Sequence, residues 1–158
     1  MVHRREFLMA LGAAAAAGSL PGTLFAAASN KVKIGMIGSG NVGSALGTVW
    51  VEAGHEVMFS SRTLANDEAL ASKLGANARA GTPKQAAAFG DVLVFTVPYR
   101  SLPELGKSLA NEIKGKVVID TCNAFPGRDG EIAKRAHEKG NRLITAELLS
   151  GARVVRAF

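Results

Sequence analysis

From Lys31 onward, short apolar runs alternate with stretches in which apolar residues recur every three or four positions. The runs at 32–37, 56–59, 91–98 and 116–123 are near-continuous in Val, Ile, Leu, Met and Phe, which suits strands covered on both faces. A weaker strand is expected near 78–80, and the terminal "ARVVRAF" predicts a last one. Between them lie helical patterns. The first covers 41–53, with Val42, Leu46, Val49 and Trp50 on one face, and stops at Gly54. The next covers 66–74 and ends at Gly75. Thr82-Pro83 caps a helix reaching Phe89, proline being tolerated in a first turn. Further helices are expected over 102–110, over 131–139 before Gly140, and over 146–149.

Strands alternating with helices imply an α/β fold, a doubly wound parallel sheet of the Rossmann type. Residues 31–158 make one domain, and no sign of a second appears. In such sheets ligands bind at the carboxyl ends of the strands, so candidate chemistry belongs in the loops that follow them.

The first thirty residues have a different pattern. Arg4-Arg5 precede Phe7-Leu8, then an alanine-rich apolar stretch too short to span a bilayer, then small residues near Ala26–Ala28. Residues 1–28 resemble a twin-arginine signal peptide. That resemblance implies a periplasmic or other extracytoplasmic location, reached with the domain already folded, and no membrane attachment once the signal is removed.

The formal charge is +6, about +5 without the signal. The basic residues are scattered and not interleaved with aromatics, which argues against nucleic acid and for a mild attraction to small anions. A single cysteine, Cys122, forms no internal disulfide. His3, His55 and His137 lie outside any metal-ligand spacing, so no metal is expected.

Chemistry concentrates after the first two strands. Gly38-Ser39-Gly40-Asn41-Val42-Gly43 follows an apolar strand and opens a helix, the context that a dinucleotide-binding GxGxxG turn requires. Gly38 allows the tight turn, Gly40 lets the backbone approach a pyrophosphate, and Gly43 lets helix and strand pack closely. An acid at the end of the second strand would hold the ribose hydroxyls of NAD. Here the chain reads Ser60-Ser61-Arg62-Thr63. A guanidinium pairs with a 2′-phosphate through two hydrogen bonds, and Ser61 can donate another. The expected cofactor is NADP(H).

The segments "KIGMIGSGNVGSALG", "GHEVMFSSR", "GDVLVFTVPY", "GKVVIDTCNAFPGRDG" and "GARVVRAF" resemble the NADP-dependent oxidoreductases that act on the deazaflavin coenzyme F420. The resemblance covers nearly all of residues 31–158. It implies hydride transfer between NADPH and a deazaflavin or flavin-like acceptor, a small-molecule redox partner. It further implies that Ser39, Gly40, Asn41 and Val42 touch the pyrophosphate, and that Ser61 and Arg62 hold the 2′-phosphate. Val97 and Pro98 would lie against the ribose and nicotinamide, and Asn123, Ala124 and Phe125 would shape the nicotinamide end. Hydride transfer requires no protein acid or base, so no catalytic side chain is assigned. Tyr99 is either a partner for the acceptor ring or a wall residue. Cys122 reads as a small buried hydrophobe, and Arg100 and Arg128 either meet an anionic acceptor or lie solvated. Relatives continue past the last strand with elements that help build the acceptor site. The alternative is therefore a non-catalytic NADP-binding module whose partner completes the site. Exposed sheet edges leave a homodimer open.

Overall fold

The computed structural model describes residues 31–157. The signal expected over 1–28 lies outside them. The first apolar run forms β1 (Lys33–Ile37), the middle of a six-stranded, all-parallel sheet. Around it stand β2 (Glu56–Ser60), β3 (Ala78–Ala80), β4 (Val92–Phe95), β5 (Val117–Asp120) and β6 (Arg153–Arg156), in the order β3-β2-β1-β4-β5-β6. That is the Rossmann arrangement expected from the pattern. The order reverses between β1 and β4, which opens a crevice at their carboxyl ends.

Alternation along each strand sends its side chains to two different cores. Ile34 and Met36 of β1, Val57 and Phe59 of β2 and Val94 of β4 fill one face. Ile37, Leu93, Phe95 and Val118 fill the other. Met36 sits in register between Phe59 and Val94, all three fully buried. The first face is covered by α1 (Asn41–Glu52) and α2 (Leu64–Leu74), through Leu46, Trp50, Leu70 and Leu74. The second is covered by α3 (Pro83–Phe89), α4 (Leu102–Ser108), α5 (Ala110–Ile113), α7 (Glu131–Lys139) and α8 (Asn141–Leu148). A short α6 (Pro126–Asp129) precedes α7.

Helix α3 begins as expected. Thr82 accepts from the Gln85 N–H while the Gln85 side chain accepts from the Thr82 N–H, a reciprocal cap with Pro83 behind it. Its far end is closed by Lys116, whose ammonium donates to the carbonyls of Ala87 at 2.7 Å and Gly90 at 2.8 Å.

The face of α1 differs from the expectation. Val42 and Val49 point outward, 54% and 59% exposed, and the buried positions are Gly43, Gly47 and Val51. Leu46 and Trp50 pack on the core edge as expected. The reason is close approach: a Cβ on Gly47 would lie 2.2 Å from the Phe59 ring, so glycine, not a large apolar residue, marks the sheet-facing side. The last helix is also longer than its apolar pattern suggested, starting at Asn141 rather than near Ala146.

Candidate functional site

Gly38 leaves β1 with φ +104, a left-handed conformation that side chains rarely adopt. Its N–H donates to the Ser60 carbonyl at 2.9 Å, and its carbonyl accepts from the Thr96 hydroxyl. The turn is thus pinned to both neighbouring strands. Gly43 fits against it so tightly that a Cβ there would lie 1.9 Å from the Gly38 carbonyl oxygen. Gly40 is different. A Cβ built on it meets nothing within 4 Å. It caps α1 with no side-chain hydrogen bond, and the first turn carries no acid. The uncapped N–H groups and the positive end of a twelve-residue helix therefore face open space, an arrangement that fits an anionic pyrophosphate.

Two cavities meet over this turn. One, about 610 Å³, runs from Gly38, Ser39 and Gly40 past Ser61 and Arg62 to Arg100 and Glu104. The other, about 260 Å³, holds Asn41, Val42, Thr121, Cys122, Asn123, Phe125 and Arg128. Gly40, Thr96, Val97 and Pro98 line both. A two-lobed cleft straddling a glycine turn is the shape a dinucleotide requires. The structure thereby brings together every expected site residue except two. Gly43 lies beneath the turn as a spacer. Ala124 is 5% exposed, belongs to the core, and offers its carbonyl to His137 Nε2 at 2.8 Å.

Arg62 is exposed at the rim of the larger cavity. Among the described residues it has no carboxylate within ion-pair distance. Ser61 is already engaged: its hydroxyl donates to Asp67 Oδ2 at 2.8 Å and accepts from the Thr63 N–H at 3.1 Å. Ser39 donates to Asp67 Oδ1. Asp67 is fully buried in the first turn of α2, and from the sequence it was assigned no role.

The smaller lobe is built from the loop after β5. Buried Asp120 accepts from the Cys122 N–H at 2.8 Å and from Arg156 Nη1 at 3.0 Å. Arg156 also donates to the Cys122 carbonyl and, at 2.6 Å, to Asn123 Oδ1. The Asn123 amide is therefore oriented from behind, its NH2 left to donate elsewhere. Arg156 sits in the terminal "ARVVRAF", but nothing in the sequence pairs it with Asp120.

Phe125 is 54% exposed, with the Arg128 guanidinium 4.9 Å from its ring centroid. Asp129 ties this corner together, accepting from Arg128 Nη2 at 2.8 Å, the Phe125 N–H at 2.9 Å and the Arg100 N–H at 3.2 Å. Burial alone would push the Asp129 carboxyl up. The Arg128 hydrogen bond and the two backbone donors outweigh it and hold the group below its ordinary 3.8. Both candidate arginines thus have a common anchor: Arg100 Nη1 donates to the Arg128 carbonyl at 2.7 Å.

Tyr99 lines neither cavity and belongs to the core. It is fully buried, its hydroxyl within 3.1 Å of the Asn141 carbonyl and of Thr145 Oγ1. Cys122 is 2% exposed, and burial pushes its thiol well up, so it is a small apolar filler and not a thiolate.

The family model described as "NADP oxidoreductase coenzyme F420-dependent" matches residues 33–124. No curated protein sequence matches. Among solved structures, the chain superposes on a protein from Arthrobacter sp. FB24 assigned as an F420-dependent NADP-reductase, with a TM-score of 0.58, 19% identity, and coverage of 79% of this chain and 61% of that one. For the imine reductase of Streptomyces aurantiacus the values are 0.57, 22%, 78% and 40%. For a reductive aminase from Aspergillus terreus in complex with NADPH and ethyl levulinate they are 0.54, 23%, 80% and 39%. At these identities the likeness is one of fold, and the chain spans between 39% and 61% of the lengths of these proteins.

Proposed function

The chain belongs to the coenzyme F420-dependent NADP oxidoreductase family, and from that premise we propose that it binds NADP(H) and catalyses hydride transfer to a deazaflavin or flavin-like acceptor. The observation that carries this reading is the placement of Arg62, without an ion-pair partner among the described residues, at the end of a cleft that also contains the open glycine turn. The uncapped N–H groups of α1 would hold the pyrophosphate. Arg62 would pair with the 2′-phosphate. Val97, Pro98 and Asn123, in the smaller lobe, would hold the nicotinamide end. When bound, the reduced nicotinamide supplies a hydride, a proton with two electrons, to the acceptor.

The protein's part is alignment and exclusion of water. Phe125 and Arg128 form an exposed aromatic and cationic wall at the mouth of the smaller lobe, where an acceptor ring would approach. Tyr99 is committed to the core, and Cys122 borders the smaller lobe only as a buried apolar filler.

The test is to titrate the purified protein with NADPH and with NADH, then follow NADPH oxidation with deazaflavin, flavin or a ferric chelate added. The expected result is tight NADPH binding and turnover with a deazaflavin or flavin. Arg62→Ala should weaken NADPH by about ten- to a hundredfold, since a charge-assisted hydrogen bond contributes about 1.5–3 kcal/mol, and should leave NADH nearly unchanged. Equal effects on both nucleotides would sink the reading. Tight NADPH binding with no turnover of any acceptor would point to a binding module completed by a partner.

For location, we propose that Arg4-Arg5 direct export by the twin-arginine route to an extracytoplasmic compartment. Replacing both by lysine should retain the precursor inside the cell, and continued export would refute this.

A further inference from the structure

Asp67 is a buried carboxylate to which the proposed chemistry gives no task. Both its oxygens are in use: Oδ1 accepts from Ser39 and Oδ2 from Ser61. Those two hydroxyls come from different loops, one after β1 and one after β2. Both line the larger cavity beside Arg62, whereas Asp67 lies behind them with no exposed surface.

A serine hydroxyl has one proton and two lone pairs. Ser61 Oγ also lies 3.2 Å from the Thr63 carbonyl, but the carboxylate oxygen is closer, at 2.8 Å, and charged; with each serine proton on Asp67, what faces the cavity is acceptor character. For Ser61 the Thr63 N–H uses one lone pair at 3.1 Å and leaves one. For Ser39 both remain. Such an array suits a donor, and the donor that distinguishes NAD(H) from NADP(H) is the ribose 2′-hydroxyl. A 2′-phosphate has only acceptor oxygens at neutral pH, apart from a fraction of its second proton. It meets lone pairs at the serines and the negative charge of Asp67 behind them. The usual acid that binds the ribose directly from the end of β2 is missing here. Asp67 supplies its polarity from the neighbouring helix, one layer further back, relayed through two hydroxyls.

We propose that Asp67 is a positioning residue for cofactor choice: acting through Ser39 and Ser61, it preserves NADH binding in a site that Arg62 biases toward NADPH. The inference rests on the reading that this cavity holds the ribose and its 2′-substituent. Two opposed devices then share one pocket. Arg62 reaches the 2′-position from the rim, and Asp67 acts from beneath. Their balance, not either alone, sets the ratio of the two affinities.

The experiment uses the full chain and measures dissociation constants for NADPH and NADH, with melting temperature recorded in parallel. Asp67→Asn should tighten NADPH and weaken NADH, moving their ratio by about tenfold, the worth of one hydrogen bond to a changed partner. Ser39→Ala with Ser61→Ala should weaken NADH more than NADPH. In that background Asp67→Asn should shift the ratio much less, because the hydroxyl relay is gone and only the direct effect of the carboxylate charge is left to remove. These variants also keep the idea testable if Asp67→Asn alone folds poorly. The proposal is overturned if Asp67→Asn changes both constants by the same factor, or if its effect is undiminished without the serines. A normal Arg62→Ala result with an unmoved ratio in Asp67→Asn would remove this inference alone. NADPH affinity unaffected by Arg62→Ala would remove the underlying reading as well.

Discussion

Arg156 and Asp120 face each other in register across β6 and β5, and the guanidinium donates to the buried carboxylate at 3.0 Å. The pair closes the carboxyl end of the sheet where the smaller lobe begins. Asp120 has no exposed surface, and the Arg156 side chain is 19% exposed. Removing one member of a buried pair strands the other, at about 3–5 kcal/mol. Arg156→Met should therefore lower stability to urea by that order. Arg156→Lys should recover part of it, keeping a charge beside Asp120 but losing the fork that also holds Asn123. If Asn123 positions the nicotinamide end, the lysine variant should fold and still bind NADPH more weakly. Equal binding by the lysine variant and the parent would mean that the Arg156–Asn123 contact is structural only.

The Asp129 carboxyl gives a pH dependence with a definite sign. Its folded-state value is held below 3.8, while in the unfolded chain it returns to about the ordinary value. The contribution is therefore fully present above roughly pH 4 and is lost as pH falls through the folded-state value. Asp129→Asn should destabilise the protein at neutral pH, on the order of 2 kcal/mol, because an amide NH2 then faces donors from Arg128 and the backbone. The gap between parent and variant should narrow in acid. Urea unfolding at pH 7 and near pH 3 measures it, and a gap that widens in acid would contradict the assignment.

Tyr99→Phe separates the core from the site. The hydroxyl bonds to Asn141 and Thr145 on α8, so its loss should cost about 1 kcal/mol and leave nucleotide affinity unchanged. A fall in NADPH affinity with no change in stability would restore Tyr99 as a site residue.

How much of this was legible in the chain depends on whether a residue's partner is near it in sequence. The strands were readable because β1, β4 and β5 are covered on both faces and so are continuously apolar. The glycine turn and Arg62 were readable because a turn type and a charge are local signals. Helix α1 was placed correctly but its inner face was not. Hydropathy ranks Val42 and Val49 above Gly43 and Gly47, whereas packing against Phe59 and the Gly38 carbonyl admits only glycine. Helix α8 was cut short because Asn141 and Arg142 are polar. What starts the helix there is a backbone event, Gly140 at φ +95 joining it to α7. Asp67 and Arg156 were invisible for a third reason. Asp67 meets Ser39 from 28 residues away and Arg156 meets Asp120 from 36, and no periodicity reports such a pairing.

Two glycines of the same turn should respond in opposite ways to substitution. At Gly43 a Cβ would lie 1.9 Å from the Gly38 carbonyl oxygen, backbone that cannot move without unpinning β1 from β2 and β4. Gly43→Ala should thus destabilise the fold by about 1–3 kcal/mol, the usual cost of overpacking, and weaken nucleotide binding as a consequence. At Gly40 the backbone has φ −65, which any residue adopts, and a Cβ meets nothing within 4 Å. Gly40→Val should therefore melt close to the parent while its side chain projects into the cleft over which the two cavities join. Both NADPH and NADH should lose affinity together, because the pyrophosphate is common to them, in contrast to the selective loss expected for Arg62→Ala. Melting temperature and two titrations on the three variants decide the matter. A stable Gly40→Val protein that binds either nucleotide as well as the parent would place the pyrophosphate somewhere other than the start of α1.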